Sequence, residues 1–270
     1  MQGYGELASK KGEVSMVDLL PSIGMALTLI ESPDNPLMIS ADVAVGRHTG
    51  RSLEVLRPFL ADPDAVGPRY PYHVYEDVMN RADQPWVTQT GLHFDIAVIL
   101  PGVLGLEWMK TAGHFHRPVR NHALPELVEV AHGKGTILLQ LMRTPDRISE
   151  IVLLRVVRGD WVVIPPGYGH VSINTASAPL ILTHVRSRAM RLEYEEMARH
   201  RGAGYWIGPQ GQWMNTSYEE VPEVKQFPAA DLYPRPFGNL SVYRATRRHL
   251  DYFKFLWGQD AHHPAGMRDA

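Results

Sequence analysis

Three histidines and one carboxylate stand at spacings that suit a metal site. His114 and His116 are two residues apart, so on a β-strand both imidazoles point to the same face and can reach one ion. Glu126 opens an alternating apolar run, and His170 follows a turn rich in proline and glycine. Three imidazoles and one carboxylate, with a position left open for water or substrate, suit Fe(II), Mn(II), Ni(II) or Zn(II).

Other titratable residues of the same stretch have several interpretations. Glu129 lies on the opposite face of the strand that Glu126 opens, and we expect its side chain to be solvated. His122, in the loop before that strand, is a fifth ligand, a lid residue or a surface histidine. His184, on the last apolar run, either lines the barrel near the metal or packs without a role there, and His132 is expected to be solvated.

From residue 93 onward the sequence predicts a series of short strands separated by turns, which is typical of a β-barrel or a β-sandwich. The predicted strands are 94–100, 103–110, 124–131, 136–142, 151–157, 161–164, 171–174 and 180–186. The Gly-Lys-Gly turn at 133–135 predicts a hairpin between the strands on either side of it.

The flanking segments have weaker patterns. Residues 51–60 carry apolar side chains at helical spacing, interrupted by a proline, and 80–84 reads as a loop. Residues 189–201 and 242–257 are predicted helices. The segment between them, 202–235, is polar and rich in turn residues.

Composition excludes several classes of function. The 270 residues carry a formal net charge of −2 and no basic run with interleaved aromatics, so nothing favours nucleic acid as a partner. The chain has no cysteine, which excludes disulfides and thiolate metal sites. We expect no membrane span, because no apolar run is long enough, and a cytoplasmic protein, because the N-terminal residues lack a signal-peptide pattern.

Two motifs share their spacing with a known family. The first has His-x-His, a glutamate, six residues and a glycine, and it is met by His114, His116, Glu126 and Gly133. The second places a histidine and an asparagine after a Pro-x-Gly turn, and it is met by Gly159, Pro165, Gly167, His170 and Asn174. The chain therefore resembles the cupins. It departs from them in the longer loop at 117–125 and in Trp108, which stands where the family has glycine.

Within the cupins, the chain is similar to the archaeal-type glucose-6-phosphate isomerases over residues 47–194. The segments that carry the similarity are 100–102, 111–116, 133–140 and 163–166. The resemblance implies a mainly β fold: a single cupin barrel, which is a jelly-roll-like double-stranded β-helix, with N- and C-terminal extensions that contain helices.

The domain boundaries follow from the reach of the resemblance. We expect an N-terminal extension at 1–45, the cupin barrel at 46–195 and a C-terminal extension at 196–270. The C-terminal extension is expected to pack on the barrel and to end in disordered residues.

The resemblance also implies the site. One divalent metal ion per chain, Fe²⁺ first and Mn²⁺, Ni²⁺ or Zn²⁺ as other choices, would be held by His114, His116, Glu126 and His170. Glu126 would also be the catalytic base. A small-molecule sugar phosphate would contact Thr111, Gly113 and Tyr194. The implied reaction interconverts glucose 6-phosphate and fructose 6-phosphate, and a homodimer is expected by analogy.

Two positions depart from the isomerase pattern, because Ala97 replaces a threonine that contacts phosphate and Val128 replaces a tyrosine. Three alternatives therefore stay open: an Fe(II) dioxygenase, an isomerase of a different sugar, and a non-catalytic sugar-binding cupin. Near Thr111, positive charge for a phosphate is available from Lys110, Arg117 and Arg120, unless these are solvated surface cations.

Overall fold

The computed structural model describes residues 16–119 and 122–258. The strands are β1 Val17–Asp18, β2 Leu27–Leu29, β3 Leu37–Ile39, β4 Val43–Ala44, β5 Arg47–Arg51, β6 Tyr72–Glu76, β7 Met79–Asn80, β8 Leu92–Ile99, β9 Val103–Leu104, β10 Glu107–Trp108, β11 Phe115–Arg117, β12 Glu126–His132, β13 Lys134–Thr144, β14 Arg147–Val157, β15 Trp161–Ile164, β16 Tyr168–Ile173, β17 Leu180–Ser187, β18 Arg191–Glu193, β19 Tyr205–Gly208, β20 Gly211–Met214 and β21 Val224–Pro228.

The helices are short. The α-helices are α1 Leu20–Ile23, α2 Leu53–Leu56, α3 Gln84–Thr90, α4 Glu195–Arg199, α5 Ala229–Leu232 and α6 Val242–Arg248, and 3₁₀ segments span Arg57–Phe59, Arg81–Asp83 and Leu250–Trp257. Within the described residues, none of the helices has the length and apolar character needed to cross a membrane.

Two sheets build the body of the protein. One has six strands in the order β15-β12-β17-β8-β6-β5, and the other has four in the order β16-β13-β14-β21. All pairs within them are antiparallel except β14 with β21. Apolar side chains from both sheets meet in one core cluster, to which Ala97 and Val130 contribute from one sheet and Leu139 and Leu153 from the other. The predicted mainly β, jelly-roll-like cupin fold is confirmed.

The six-stranded sheet is buried on both faces. In β12, Val128 and Val130 belong to the core between the sheets, whereas Leu127 and Ala131 belong to a second cluster on the outer face. This second cluster is completed by residues from both ends of the chain, among them Leu19, Ile23, Met25, Tyr243, Phe253 and Leu256. Burial on both faces explains why these strands read as apolar runs with little alternation.

The hairpin predicted across the Gly-Lys-Gly turn is wrong. β12 pairs with β15 and β17, while β13 pairs with β14 and β16, so the chain crosses from one sheet to the other at Gly133. Gly133 has φ of 82°, and a Cβ there would lie 2.5 Å from the carbonyl oxygen of Pro179. The residues at 133–135 therefore determine the turn itself, whereas the pairing of β12 and β13 depends on strands from distant parts of the chain.

Several flanking elements also differ from expectation. The helix predicted at 189–201 is shortened to α4 because β18 occupies its first half, and the loop at 80–84 opens a 3₁₀ turn that leads into α3. The polar segment 202–235 contains the β19–β20 hairpin and strand β21. The predicted helix at 242–257 is α6 followed by a 3₁₀ segment. The expected disorder at the C-terminus falls on residues outside the described part of the chain.

Candidate metal centre

Four residues, three of them in strands and one just before a strand, converge at one point between the sheets. His114 immediately precedes β11, His116 lies within it, Glu126 begins β12 and His170 lies in β16. The backbone N–H of each of His114 and His170 donates to the carbonyl of the other, at 3.2 and 3.0 Å. One potential ligand atom from each of the four residues lies within 4.8 Å of all the others. The structure thus brings together the four residues that the sequence predicts as metal ligands.

The orientation of His116 is set by a hydrogen bond outside the cluster. Its Nδ1 lies 2.9 Å from the carbonyl oxygen of Leu124 and is therefore the protonated nitrogen. Its Nε2 is left with a free lone pair, 3.4 Å from Oε2 of Glu126. A metal-binding histidine is typically held in this way, with the second nitrogen bonded to a carbonyl or carboxylate.

Several polar atoms of the cluster are buried without a hydrogen-bond partner. They include Nε2 of His114, Nε2 of His116 and Oε2 of Glu126. The same Oε2 is 3.5 Å from Nε2 of His170. Leaving a buried polar atom unsatisfied costs about 1–3 kcal/mol, so three such atoms facing one point are unfavourable unless something occupies that point. Nitrogen and oxygen donors in this number suit a divalent transition metal.

The protonation states in the site also suit a metal. Burial lowers the pKa of His114 well below its ordinary value, with neighbouring His170 adding to the effect, and burial lowers the pKa of His170 to about 3. For Glu126, burial raises the pKa, but His184 and His116 outweigh it and hold the pKa well below the ordinary value. Neutral imidazole and ionised carboxylate are the forms that bind metal.

His184 contacts the four-residue cluster through Glu126. Its Nδ1 is 3.3 Å from Oε1 of Glu126, whereas Oε2 of that carboxylate faces His116 and His170. Of the two interpretations of His184, the structure thus favours a place beside the cluster. Glu126 presents one oxygen to the ligand histidines and the other to a histidine outside the ligand group.

A pocket of about 80 Å³ opens beside the cluster, and its wall includes His114, Glu126 and His170. A space of that size holds several water molecules. Of the residues expected to contact substrate, Thr111 and Tyr194 line it, and the Tyr194 ring centroid is 5.2 Å from that of His114.

Gly113 is buried beneath the pocket wall. A Cβ at this position would lie 2.6 Å from Cγ2 of Val171 and would collide with the sulfur of Met197. Packing therefore requires a glycine here, whatever contact its backbone makes.

The two positions that depart from the isomerase pattern lie in different surroundings. Ala97 lines the pocket, while Val128 is packed in the core between the sheets.

The pocket wall carries charged and polar residues that the sequence reasoning missed. They are Arg51, Tyr72, Glu76, Asp95 and Arg186. Asp95 and Arg186 form a buried ion pair, with 2.9 Å between Oδ2 and Nη2. A signal for this pair was present, because each is a charged residue inside a predicted apolar strand, and the period of two puts Asp95 on the same face as Ala97.

Glu129, which was expected to be solvated, and Lys110, for which a solvated cation was one of two interpretations, are both buried. Glu129 is only 2% exposed; it accepts hydrogen bonds from Trp161 Nε1 at 3.2 Å and from the Val242 N–H at 2.8 Å. Burial raises its pKa to about 7. Lys110 is also buried and is paired with Glu107, so it is neither a surface cation nor free to bind phosphate. Both expectations failed because the segments that cover these residues come from distant parts of the chain.

The remaining candidates lie at the periphery. Arg117 is exposed, with Nη2 3.9 Å from the Glu195 carboxylate, and His122 is exposed in the loop before β12. His132 is partly buried, and burial lowers its pKa. Arg120 falls outside the described residues.

Comparison with known proteins bears on this site. A family model described as glucose-6-phosphate isomerase (GPI) matches residues 51–223. The glucose-6-phosphate isomerase of Thermococcus gammatolerans is 32% identical over 153 residues, which are 54% of this chain and 75% of that protein. The protein of the same name from Thermococcus kodakarensis is 36% identical over 93 residues, 33% of this chain, so the match spans less than half (43%) of that relative.

Among solved structures, the chain is similar to vicilin from hazelnut (Corylus avellana). The TM-score is 0.34 at 15% sequence identity, covering 47% of this chain and 33% of that one. The chain is also similar to an oxalate decarboxylase of Bacillus subtilis, with a TM-score of 0.32 at 16% identity, covering 43% of this chain and 25% of that one. Similarity at this level carries no argument about function.

Proposed function

This chain belongs to the glucose-6-phosphate isomerase family, and on that premise we propose that it interconverts glucose 6-phosphate and fructose 6-phosphate with one divalent metal ion bound per chain. The observation that carries the proposal is the convergence of His114, His116, Glu126 and His170, with unsatisfied buried atoms, on the wall of a pocket. These four residues would hold the ion, with Fe²⁺ as first choice and Mn²⁺, Ni²⁺ or Zn²⁺ as the others.

The reaction moves a hydrogen between C1 and C2 of the sugar, as a proton or as a hydride, and a proton between the oxygens on these two carbons, while the carbonyl is polarised. A bound divalent metal supplies Lewis-acid polarisation and lowers the cost of the charge that develops on oxygen. For the route by proton transfer, we assign the proton to Oε1 of Glu126, because Oε2 faces His116 and His170. His184 Nδ1 lies 3.3 Å from Oε1 and can share that proton.

Two further residues supply hydroxyl groups to the pocket. Oγ1 of Thr111 accepts the backbone N–H of Ser172 at 3.1 Å, which leaves its own proton free to donate to a ligand. Tyr194 stays neutral, because burial raises its pKa to about 12, and it is therefore also a donor. We assign both to substrate binding. Gly113 is assigned to shaping the wall behind them.

The test is turnover of glucose 6-phosphate to fructose 6-phosphate in a coupled assay. Protein is stripped with a chelator and reloaded with Fe(II), Mn(II), Ni(II) or Zn(II). We expect metal-dependent turnover that is lost in His170→Ala and retained in His249→Ala, a matched change at an exposed histidine in the C-terminal segment. Protein that binds metal by elemental analysis yet turns over none of the substrate would overturn the proposal.

A second candidate is an isomerase that acts on a different anionic sugar. The observation in its favour is the charged pocket wall, where the Asp95–Arg186 pair stands beside Ala97. A panel of sugar phosphates and sugar acids, tested with the same reloaded protein, separates the two candidates by their relative kcat/KM.

We also propose that the chain forms a homodimer through a sheet edge. The six-stranded sheet ends at β5, and among the described residues no further strand pairs with that edge. Light scattering coupled to size-exclusion chromatography measures the mass in solution. A mass of one chain at micromolar concentration would refute this part of the proposal.

A further inference from the structure

The pocket wall contains two arginines with different surroundings. The guanidinium of Arg186 is neutralised by Asp95, at 2.9 Å. The side chain of Arg51 makes no hydrogen bond or ion pair within the described ranges, and its Nε is buried without a partner. Because Arg51 is partly buried and has no counter-ion among the described residues, its guanidinium is available to pair with an anionic ligand.

The acidic residues of the pocket are already engaged elsewhere. Glu76 is paired with Arg47, Asp95 with Arg186, and Glu126 belongs to the metal cluster. None of the ion pairs found among the described residues therefore neutralises Arg51.

Three hydroxyl donors share the pocket wall with Arg51. Tyr72 is its cross-strand neighbour, on β6. The Tyr72 hydroxyl accepts the backbone N–H of Ala112 at 3.2 Å, so its own proton is free to donate. Thr111 and Tyr194, also on the wall, have free hydroxyl protons as described above. The wall thus combines a planar guanidinium with three hydroxyl donors.

We propose that Arg51 binds the anionic group of the substrate and is the residue that restricts this pocket to negatively charged sugars. This deepens the proposed function, on which the identity of the sugar rests. The guanidinium offers paired donors that match the oxygens of a phosphate or a carboxylate. The hydroxyls of Tyr72, Thr111 and Tyr194, which line the same pocket, would complete the site.

Other cations near the pocket do not fit this role. Lys110 is buried against Glu107, and Arg188 is paired with Asp77. Arg117 is exposed and is not part of the pocket wall. Arg51 is thus the wall cation whose charge is left for a ligand, as far as the described residues show.

The experiment compares Arg51→Gln and Arg51→Lys with Arg69→Gln. Arg69 is an exposed arginine outside the pocket, stacked on Tyr70, so its substitution removes the same charge without touching the wall. Dissociation constants of inorganic phosphate, glucose 6-phosphate, D-gluconate and neutral D-glucose are measured by calorimetry on metal-loaded protein. Thermal unfolding confirms that each variant is folded.

We expect Arg51→Gln to weaken binding of the anionic ligands by about 10- to 100-fold, the range for a charge-assisted hydrogen bond, and to leave D-glucose unaffected. Arg51→Lys should recover part of the lost affinity. Arg69→Gln should bind every ligand with the affinity of the wild-type protein. If glucose 6-phosphate is turned over, KM should rise more than kcat falls, because the anion is bound equally in the ground and transition states.

Two results would overturn the inference. One is equal affinity of wild-type protein and Arg51→Gln for every anion tested, and the other is an equal loss in Arg69→Gln. Binding is measured apart from turnover, so the two proposals fail separately. Arg51-dependent binding without isomerisation would leave this site standing and remove the proposed function. Preference for phosphate over D-gluconate, or the reverse, identifies the anion.

Discussion

Glu129→Gln should change how the stability of the protein depends on pH. The Glu129 carboxylate is buried between Trp161 and the N-terminus of α6, and burial raises its pKa from 4.5 to about 7. The folded protein therefore holds a proton on Glu129 over a pH range in which the unfolded chain has released it. Stability falls with rising pH wherever the folded state binds more protons, so this group destabilises the fold as pH rises from about 4.5 to about 7.

The size of the effect follows from the two pKa values. A difference of one pKa unit corresponds to about 1.4 kcal/mol, so the change from 4.5 to about 7 corresponds to about 3 kcal/mol. Trp161 Nε1 donates to Oε1 of Glu129 and the Val242 N–H donates to Oε2, so glutamine, with one acceptor oxygen, keeps one of these hydrogen bonds and loses the other, and it does not ionise. We expect the variant to be less stable than wild type by about 1–3 kcal/mol near pH 4.5, because one buried N–H loses its acceptor. Between pH 4.5 and pH 8 the difference in stability should move by about 3 kcal/mol in favour of the variant.

Urea unfolding followed by fluorescence at several pH values from 4.5 to 8 measures the difference. The buried histidines change stability over the same range, but they are common to both proteins and cancel in the comparison. Glu223→Gln, at an exposed glutamate, is the matched control and should leave the pH dependence unchanged. Parallel stability curves for wild type and Glu129→Gln would refute the reasoning.

Three further predictions concern the site. Glu126→Gln should lower turnover by about 10²- to 10⁴-fold if this residue carries the proton, measured in the coupled assay at saturating metal. His184→Asn should lower activity or metal affinity by about 10- to 100-fold through the loss of its contact with Glu126 Oε1, which steady-state kinetics and metal titration separate. Gly113→Ala should lower the free energy of unfolding by about 1–3 kcal/mol through overpacking against Val171 and Met197, and it should cost less in a Met197→Ala background, compared with Met197→Ala alone, because one of the two clashes is gone.

The convergence of His114, His116, Glu126 and His170 was predictable because their spacing reflects strand geometry. His114 and His116 share a face on any strand, and the Pro-x-Gly turn before His170 has a fixed length. The strand positions were likewise set by local signals, and most of them match the structure within a few residues. Sequence patterns of this kind need no knowledge of distant parts of the chain.

The errors have a common physical cause, which is that each depended on contacts between distant segments. The partners of β12 and β13 are decided by which strands bury their apolar faces, and the turn at Gly133 is compatible with either a hairpin or a crossing between sheets. Arg51 lies some sixty residues before the metal ligands, in a short edge strand with no motif of its own. The sequence shows that it is an arginine but not which wall it faces.

The two glutamates of β12 show how one strand serves both chemistry and stability. Glu126 and Glu129 lie on opposite faces, and both are about 2% exposed. On the inner face, His184 and His116 hold the pKa of Glu126 low, which keeps a charge available to a metal or a substrate proton.

On the outer face, Glu129 receives two hydrogen bonds, but its nearest cation, Arg235, is 3.6 Å away, and burial dominates its pKa. Glu129 is covered by Trp161 and Val242. Both belong to the outer cluster through which the C-terminal segment covers the sheet. Packing of that segment therefore raises the pKa of Glu129 to about 7 on one face of β12, while Glu126 on the other face stays ionised. Because neighbouring side chains of a strand alternate between faces, the strand can hold two buried acids with opposite pKa shifts only three residues apart.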